Sequence, residues 1–107
     1  MARRRVEILT FEGCPNAEAA HALVERVVAG LGIEADVASI RVEDGQAAER
    51  LRFLGSPTVR VDGRDVEPGA EARSDYTLAC RLYSTPAGLA TVPAEEWVRD
   101  ALSGGRG

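Results

Sequence analysis

A single α/β domain built on a mixed sheet is the fold class this chain predicts, and three observations predict it. Its hydrophobic period switches repeatedly between two and 3.6 residues, in the order β-α-β-α-β-β-α. At 107 residues with 45% hydrophobic content, there is material for one core and not for two. No internal repeat, linker or low-complexity run divides residues 1–107.

Val6 to Phe11 reads as the first strand, closed by Glu12-Gly13-Cys14-Pro15. Ala20, Leu23, Val24, Val27, Val28 and Leu31 then recur at helical spacing, which predicts a helix over about 15–31 with its stop at Gly30 to Gly32. Residues 33–42 alternate as a second strand. Glu43-Asp44-Gly45 starts a short helix with an apolar face of Ala47, Ala48, Leu51 and Leu54, ending at Gly55. Thr58 to Val61 alternates, Asp62-Gly63 is a tight-hairpin signal, and Arg64 to Val66 returns as a short antiparallel strand. Residues from about 67 to 91 form an insertion before the last helix; within it Tyr76 to Tyr83 reads as one piece, helical or extended. Pro93 fits the first turn of that helix, with Trp97, Val98, Ala101 and Leu102 facing the core, and residues 103–107 read as a frayed tail.

Charge excludes some classes of partner. Seventeen acidic residues against thirteen basic ones give a net charge of −4, and outside Arg3-Arg4-Arg5 the basic residues are scattered, so nothing marks a surface for nucleic acid or anionic lipid. The opening Met1-Ala2 and its arginines resemble the positive region of a signal peptide, but the apolar run behind them is short and ends in Glu12-Gly13 rather than a cleavage site. No run approaches the roughly 20 apolar residues of a membrane span. The expected location is cytoplasmic.

Chemistry concentrates at Cys14. The thiol closes a strand and opens a helix, where unpaired N–H groups and the positive end of the helix dipole favour thiolate over thiol. The only other cysteine is Cys80, in the insertion. Two cysteines without a C-x-x-C pair or a histidine cluster are a poor zinc set, and no resident cofactor is implied.

The element order, the cysteine at the start of the first helix and Gly55-Ser56-Pro57-Thr58 before the third strand together resemble the thioredoxin superfamily over residues 5–66 and 93–102. The tetrad Cys14-Pro15-Asn16-Ala17 matches that family's C-x-x-C, with Ala17 where the second cysteine would stand, and its Cys-Pro pair looks like the glutaredoxin form. The resemblance implies that Pro57 is a cis-proline facing the thiol and that Ser56 offers its backbone to an extended substrate, beside Pro15. The strings Phe11-Glu12-Gly13-Cys14-Pro15-Asn16 and Leu54-Gly55-Ser56-Pro57-Thr58-Val59 look more narrowly like small bacterial thioredoxin-like proteins, some labelled as relatives of alkylmercury lyase. Ile8 stands where thioredoxins often bury an acid, and Ala17 cannot resolve a mixed disulfide, so a standard thioredoxin cycle is not expected.

In such a fold the first strand runs up to Cys14, the third starts beside it at Pro57 and runs down, and the fourth returns upward. The insertion therefore starts on the side of the thiol, and Cys80 is read either as a partner for Cys14 or as core filler. His21, two turns further along the helix, reads as a surface or half-buried side chain; Trp97, Tyr76 and Tyr83 read as packing; Glu12, Glu18 and Asp75 read as solvated carboxylates.

The leading expectation is thiol–disulfide exchange, with Cys14 attacking a disulfide-bearing protein and either Cys80 or a low-molecular-weight thiol resolving the intermediate. A second expectation is capture of a soft metal ion or organomercurial by Cys14 and Cys80, with Asp75 as a candidate proton donor if a carbon–mercury bond is cleaved. A third is a non-catalytic binding module that has kept the fold and lost the redox pair.

Overall fold

In the computed structural model, which describes residues 3–104, seven elements follow the sequence order closely. They are β1 (Arg4–Thr10), α1 (Ala17–Leu31), β2 (Ala35–Arg41), α2 (Gly45–Arg50), β3 (Thr58–Val61), β4 (Arg64–Asp65) and, after a long insertion, the last helix. The insertion adds a single 3-10 turn (Ala70–Ala72) and a small hairpin of β5 (Tyr83–Thr85) and β6 (Gly88–Ala90); the last helix, α3, covers Glu95–Leu102. The expected tail beyond Gly104 lies outside the described residues, as do Met1 and Ala2.

The four main strands form one mixed sheet in the order β2-β1-β3-β4. Strand β2 runs parallel to β1, whereas β3 is antiparallel to both β1 and β4. Because side chains alternate across a strand, Val6 and Ile8 share one face with their partners Val61 and Val59. Helices α1 and α3 cover that face: Ala20, Leu23, Val24 and Val27 meet Val98 and Leu102 over the strands in a core of eleven buried residues. At roughly 1.5–3 kcal/mol for each large apolar side chain buried, this layer far outweighs the exposed ion pairs around it, worth about 0–1 kcal/mol each. On the opposite face, α2 and the loop after it cover only the β1–β2 end, where Leu9, Val42, Ala47, Ala48 and Phe53 pack together.

Local chemistry sets the element ends. Gly32, at φ +65°, ends α1 as the sequence requires. Asp44 caps α2 by accepting the Ala47 N–H at 2.8 Å. Asp62 and Gly63, at φ 51° and 85°, make the hairpin turn between β3 and β4. Three boundaries differ from the sequence reading. Helix α1 begins at Ala17, because residues 11–14 are consumed by a turn; α2 ends at Arg50 instead of reaching Gly55; and Pro93 precedes the Ala94 cap of α3 instead of entering its first turn. Among the described residues no helix is long and apolar enough to cross a membrane.

Candidate thiol site

Cys14 is held by a β-turn. Its N–H donates to the Phe11 carbonyl at 3.2 Å, and Gly13 at the third position of the turn has φ +84°, which glycine adopts without a Cβ penalty. The Cys14 carbonyl accepts the Ala17 N–H at 3.4 Å, and the helix cap is Asn16. The thiol is therefore half-buried and stands two residues ahead of the cap, outside the first helical turn, with Pro15 exposed beside it.

Ser56 and Pro57 lead into β3 and are both buried, and the peptide bond between them is cis. Since Leu9 pairs with Thr58, these residues lie at the same end of the sheet as the turn that carries Cys14. The expectation that Ser56 offers a free backbone edge needs correction. Its N–H donates to the Ala79 carbonyl at 2.8 Å and its carbonyl accepts the Arg81 N–H at 3.0 Å, a parallel bridge that sets Cys80 opposite Ser56. The Thr77 N–H adds a third bond to the Phe53 carbonyl at 2.9 Å. Residues 77–81 thus run alongside residues 53–56, bending at Leu78 and Ala79 before the bridge at Cys80, and the piece from Tyr76 to Tyr83 is not helical.

Residues 77–80 are all exposed, and alternation between outside and inside begins only at Cys80. Arg81 and Tyr83 are buried, whereas Leu78, Cys80 and Leu82 are exposed. Cys80 is therefore not core filler, and the thiols of Cys14 and Cys80 are both free.

The strap is anchored by Arg81, which the sequence reading did not single out, and by Tyr83, which it read as packing. The Arg81 guanidinium, 2% exposed, bonds Asp65 at 2.8 and 3.2 Å, Glu67 at 2.6 Å and the Thr58 hydroxyl at 2.9 Å. It also lies 4.3 Å from the centre of the Tyr83 ring. Burial opposes its charge, but Tyr83, Asp65 and Glu67 outweigh burial and hold its pKa above the ordinary value. The Tyr83 hydroxyl donates to the Pro57 carbonyl at 2.5 Å, and burial pushes its phenol well above the usual range. Gly55 makes room for all this: a Cβ there would come within 2.8 Å of the Arg81 Cβ. An arginine flanked by exposed positions carries no sequence signal of burial, because its partners arrive from residues 58, 65 and 67.

Other candidates fall away from the thiols. The exposed Asp75 is paired with Arg73 at 2.7 Å, and that bond holds its carboxyl below the usual carboxylate range, which suits an ion-pair partner and not a proton donor. His21 Nε2 lies 3.0 Å from the Ser39 hydroxyl. Trp97 packs against Tyr83 with ring centres 6.3 Å apart. Glu12 pairs loosely with Arg41 at 3.7 Å and Glu18 is exposed. Among the described residues no three His, Cys, Asp or Glu side chains converge as a metal site. The clefts of about 190 and 150 Å³ beside the β3–β4 hairpin are lined by neither cysteine.

No family model, curated protein or solved structure matches the chain. Function therefore rests on the site itself.

Proposed function

We propose that the chain is a thioredoxin-like thiol–disulfide exchange protein with Cys14 as nucleophile and Cys80 as resolving thiol. The observation that carries the reading is the Ser56–Cys80 bridge, which sets an exposed second thiol at the sheet end from which Cys14 emerges. The strand order β2-β1-β3-β4, the helix pair on one face with α2 on the other, and the cis bond before β3 support the family resemblance. Ala17 leaves Cys14 without a neighbouring partner, a gap that Cys80 fills from the insertion.

The chemistry follows. The Cys14 thiolate attacks one sulfur of a substrate disulfide, forming a mixed disulfide and expelling the other sulfur as a thiolate. The Cys80 thiolate then attacks the Cys14 sulfur, so that the substrate leaves as a dithiol with two electrons gained and Cys14–Cys80 is left oxidised. Two equivalents of a low-molecular-weight thiol, leaving as their own disulfide, return the pair to the free state in a reducing, cytoplasmic setting. Since residues 79–81 already fill the Ser56 backbone edge, the substrate disulfide meets Cys14 from the solvent side, past Pro15.

Reduction of a small aromatic disulfide under excess glutathione tests this. Cys14→Ser is expected to abolish turnover, while Cys80→Ser, exposed to the disulfide without glutathione, is expected to retain the first attack and trap a mixed disulfide on Cys14, visible as an added mass. Full turnover by Cys14→Ser would overturn the assignment.

The same pair of free thiols favours a second reading, two-coordinate capture of a soft metal ion such as mercuric ion. One ion bound per chain, lost in either single serine variant, together with absent disulfide turnover, would select it over exchange.

A further inference from the structure

The cleft of about 190 Å³ between the end of α2, the β3–β4 hairpin and the 3-10 turn has no part in the thiol chemistry above. Leu51, Leu54 and Tyr76 give it an apolar wall, and four guanidinium groups, those of Arg52, Arg60, Arg64 and Arg73, stand around it. Two of the four have carboxylate partners: Arg64 pairs with Glu71 at 3.5 Å, and Arg73 with Asp75 at 2.7 Å. The lining carboxylate of Asp65 is committed to Arg81. Arg52 and Arg60 have no ion-pair partner among the described residues, and the Arg60 guanidinium instead donates to the Leu51 and Arg52 carbonyls at 2.6 and 2.9 Å.

Arg52 also sits in an unusual backbone position. Its N–H donates to Glu49 and the Phe53 N–H to Ala48 as α2 ends, which places Arg52 just past the helix at φ 56°. Glycine is the usual residue there, with asparagine next, because a Cβ is crowded in the left-handed region. A long cationic side chain held in that conformation at the rim of a cleft is the kind of local cost that accompanies a binding role.

We propose that this cleft binds a small organic phosphate monoester, its dianionic head held by Arg52 and Arg60 and its apolar body lying against Leu51, Leu54 and Tyr76. Two guanidinium groups not engaged in a salt bridge match the two charges of a phosphate monoester, and the planar donor fork of arginine suits its oxygens. Burial, together with the positive charge of Arg81 and Arg52, acts to lower the Arg60 pKa against the pull of Asp65 and Glu7, and a bound anion would relieve that penalty. At about 190 Å³ the space falls below the roughly 300–1,000 Å³ of sites for drug-sized ligands. A single ring or short chain fits; a nucleotide does not.

Phenyl phosphate is the probe, followed by amide chemical shifts and calorimetry at low ionic strength, with inorganic phosphate and phenol as the head and body alone. Saturable shifts confined to residues 51–54, 60 and 70–76 are expected, with phenyl phosphate binding at least tenfold more tightly than either fragment. Arg52→Gly removes the cation while giving the helix end its preferred residue, so it should weaken binding at least tenfold with thermal stability unchanged or raised. Arg60→Lys, which keeps the charge but loses the fork, should weaken it severalfold. Absence of saturable shifts, phenol binding as tightly as phenyl phosphate, inorganic phosphate doing the same, or unchanged affinity in Arg52→Gly would each overturn the proposal.

Discussion

Cys80 lies opposite Ser56 in a parallel bridge, with the Ser56 N–H on the Ala79 carbonyl at 2.8 Å and the Arg81 N–H on the Ser56 carbonyl at 3.0 Å. The bridge fixes the direction of the strap: Cys80 faces solvent, while its neighbour Arg81 turns inward to Asp65 and Glu67. Exposure of the second thiol and burial of the cation are thus one geometric fact, and several expected outcomes follow from it.

Replacing Arg81 by Met should destabilise the protein by about 3 kcal/mol, the low end for breaking a buried pair, because the Asp65 and Glu67 carboxylates lose a common partner yet retain some solvent access. Urea denaturation measures the loss, and hydrogen exchange should show the amides of Thr77 and Arg81 opening first. Equal protection of those amides in variant and parent would mean that the strap is held by its backbone bonds alone.

Gly55→Ala should cost more than about 1 kcal/mol, since φ +122° is unfavourable for alanine and the added Cβ would meet the Arg81 Cβ at 2.8 Å and the Ala79 carbonyl oxygen at 3.2 Å. The strap is the side that can give, so alkylation of Cys80 should change rate while far-ultraviolet circular dichroism stays the same. A variant as stable as the parent would show that the close approach is not needed.

Tyr83 predicts a loss of stability in alkali. Burial raises its pKa in the folded state, so above pH ~10, where an unfolded tyrosine ionises, the native state binds more protons than the unfolded one and stability falls as pH rises. Tyr83→Phe should remove this slope and, by leaving the Pro57 carbonyl without its donor, cost about 1–3 kcal/mol near pH 7. Melting temperatures from pH 7 to 11 distinguish the two variants; parallel curves would refute the assignment.

Asp62 gives the opposite sign in acid. The Arg5 N–H and the Arg4 guanidinium, at 3.1 and 2.6 Å, hold its carboxyl below the usual range. Its contribution is present above the unfolded value near pH ~3.9 and is lost as pH falls through the lower folded value. Asp62→Asn, which keeps the left-handed turn, should be weaker by about 0.2–1 kcal/mol at pH 7, as for an exposed pair, and should converge on the parent near pH 2 in a thermal melt series.

The order of the seven main elements was legible in the sequence because each is set by neighbours along the chain: the helical spacing from Ala20 to Leu31, the Asp44 cap, the Asp62-Gly63 turn. The turn that presents Cys14 belongs to the same class, since Gly13 supplies its positive φ locally. Residues 67–91 were illegible for the converse reason. The strap takes its backbone bonds from Phe53 and Ser56, and Arg81 finds its carboxylates at Asp65 and Glu67 and its hydroxyl at Thr58. Sequence by itself determined where a thiol could stand at the end of a strand. Only the tertiary structure decided that Cys80 joins the same end of the sheet and that a cation is buried beneath it, because long-range hydrogen bonds and a desolvated ion cluster depend on partners that local periodicity does not encode.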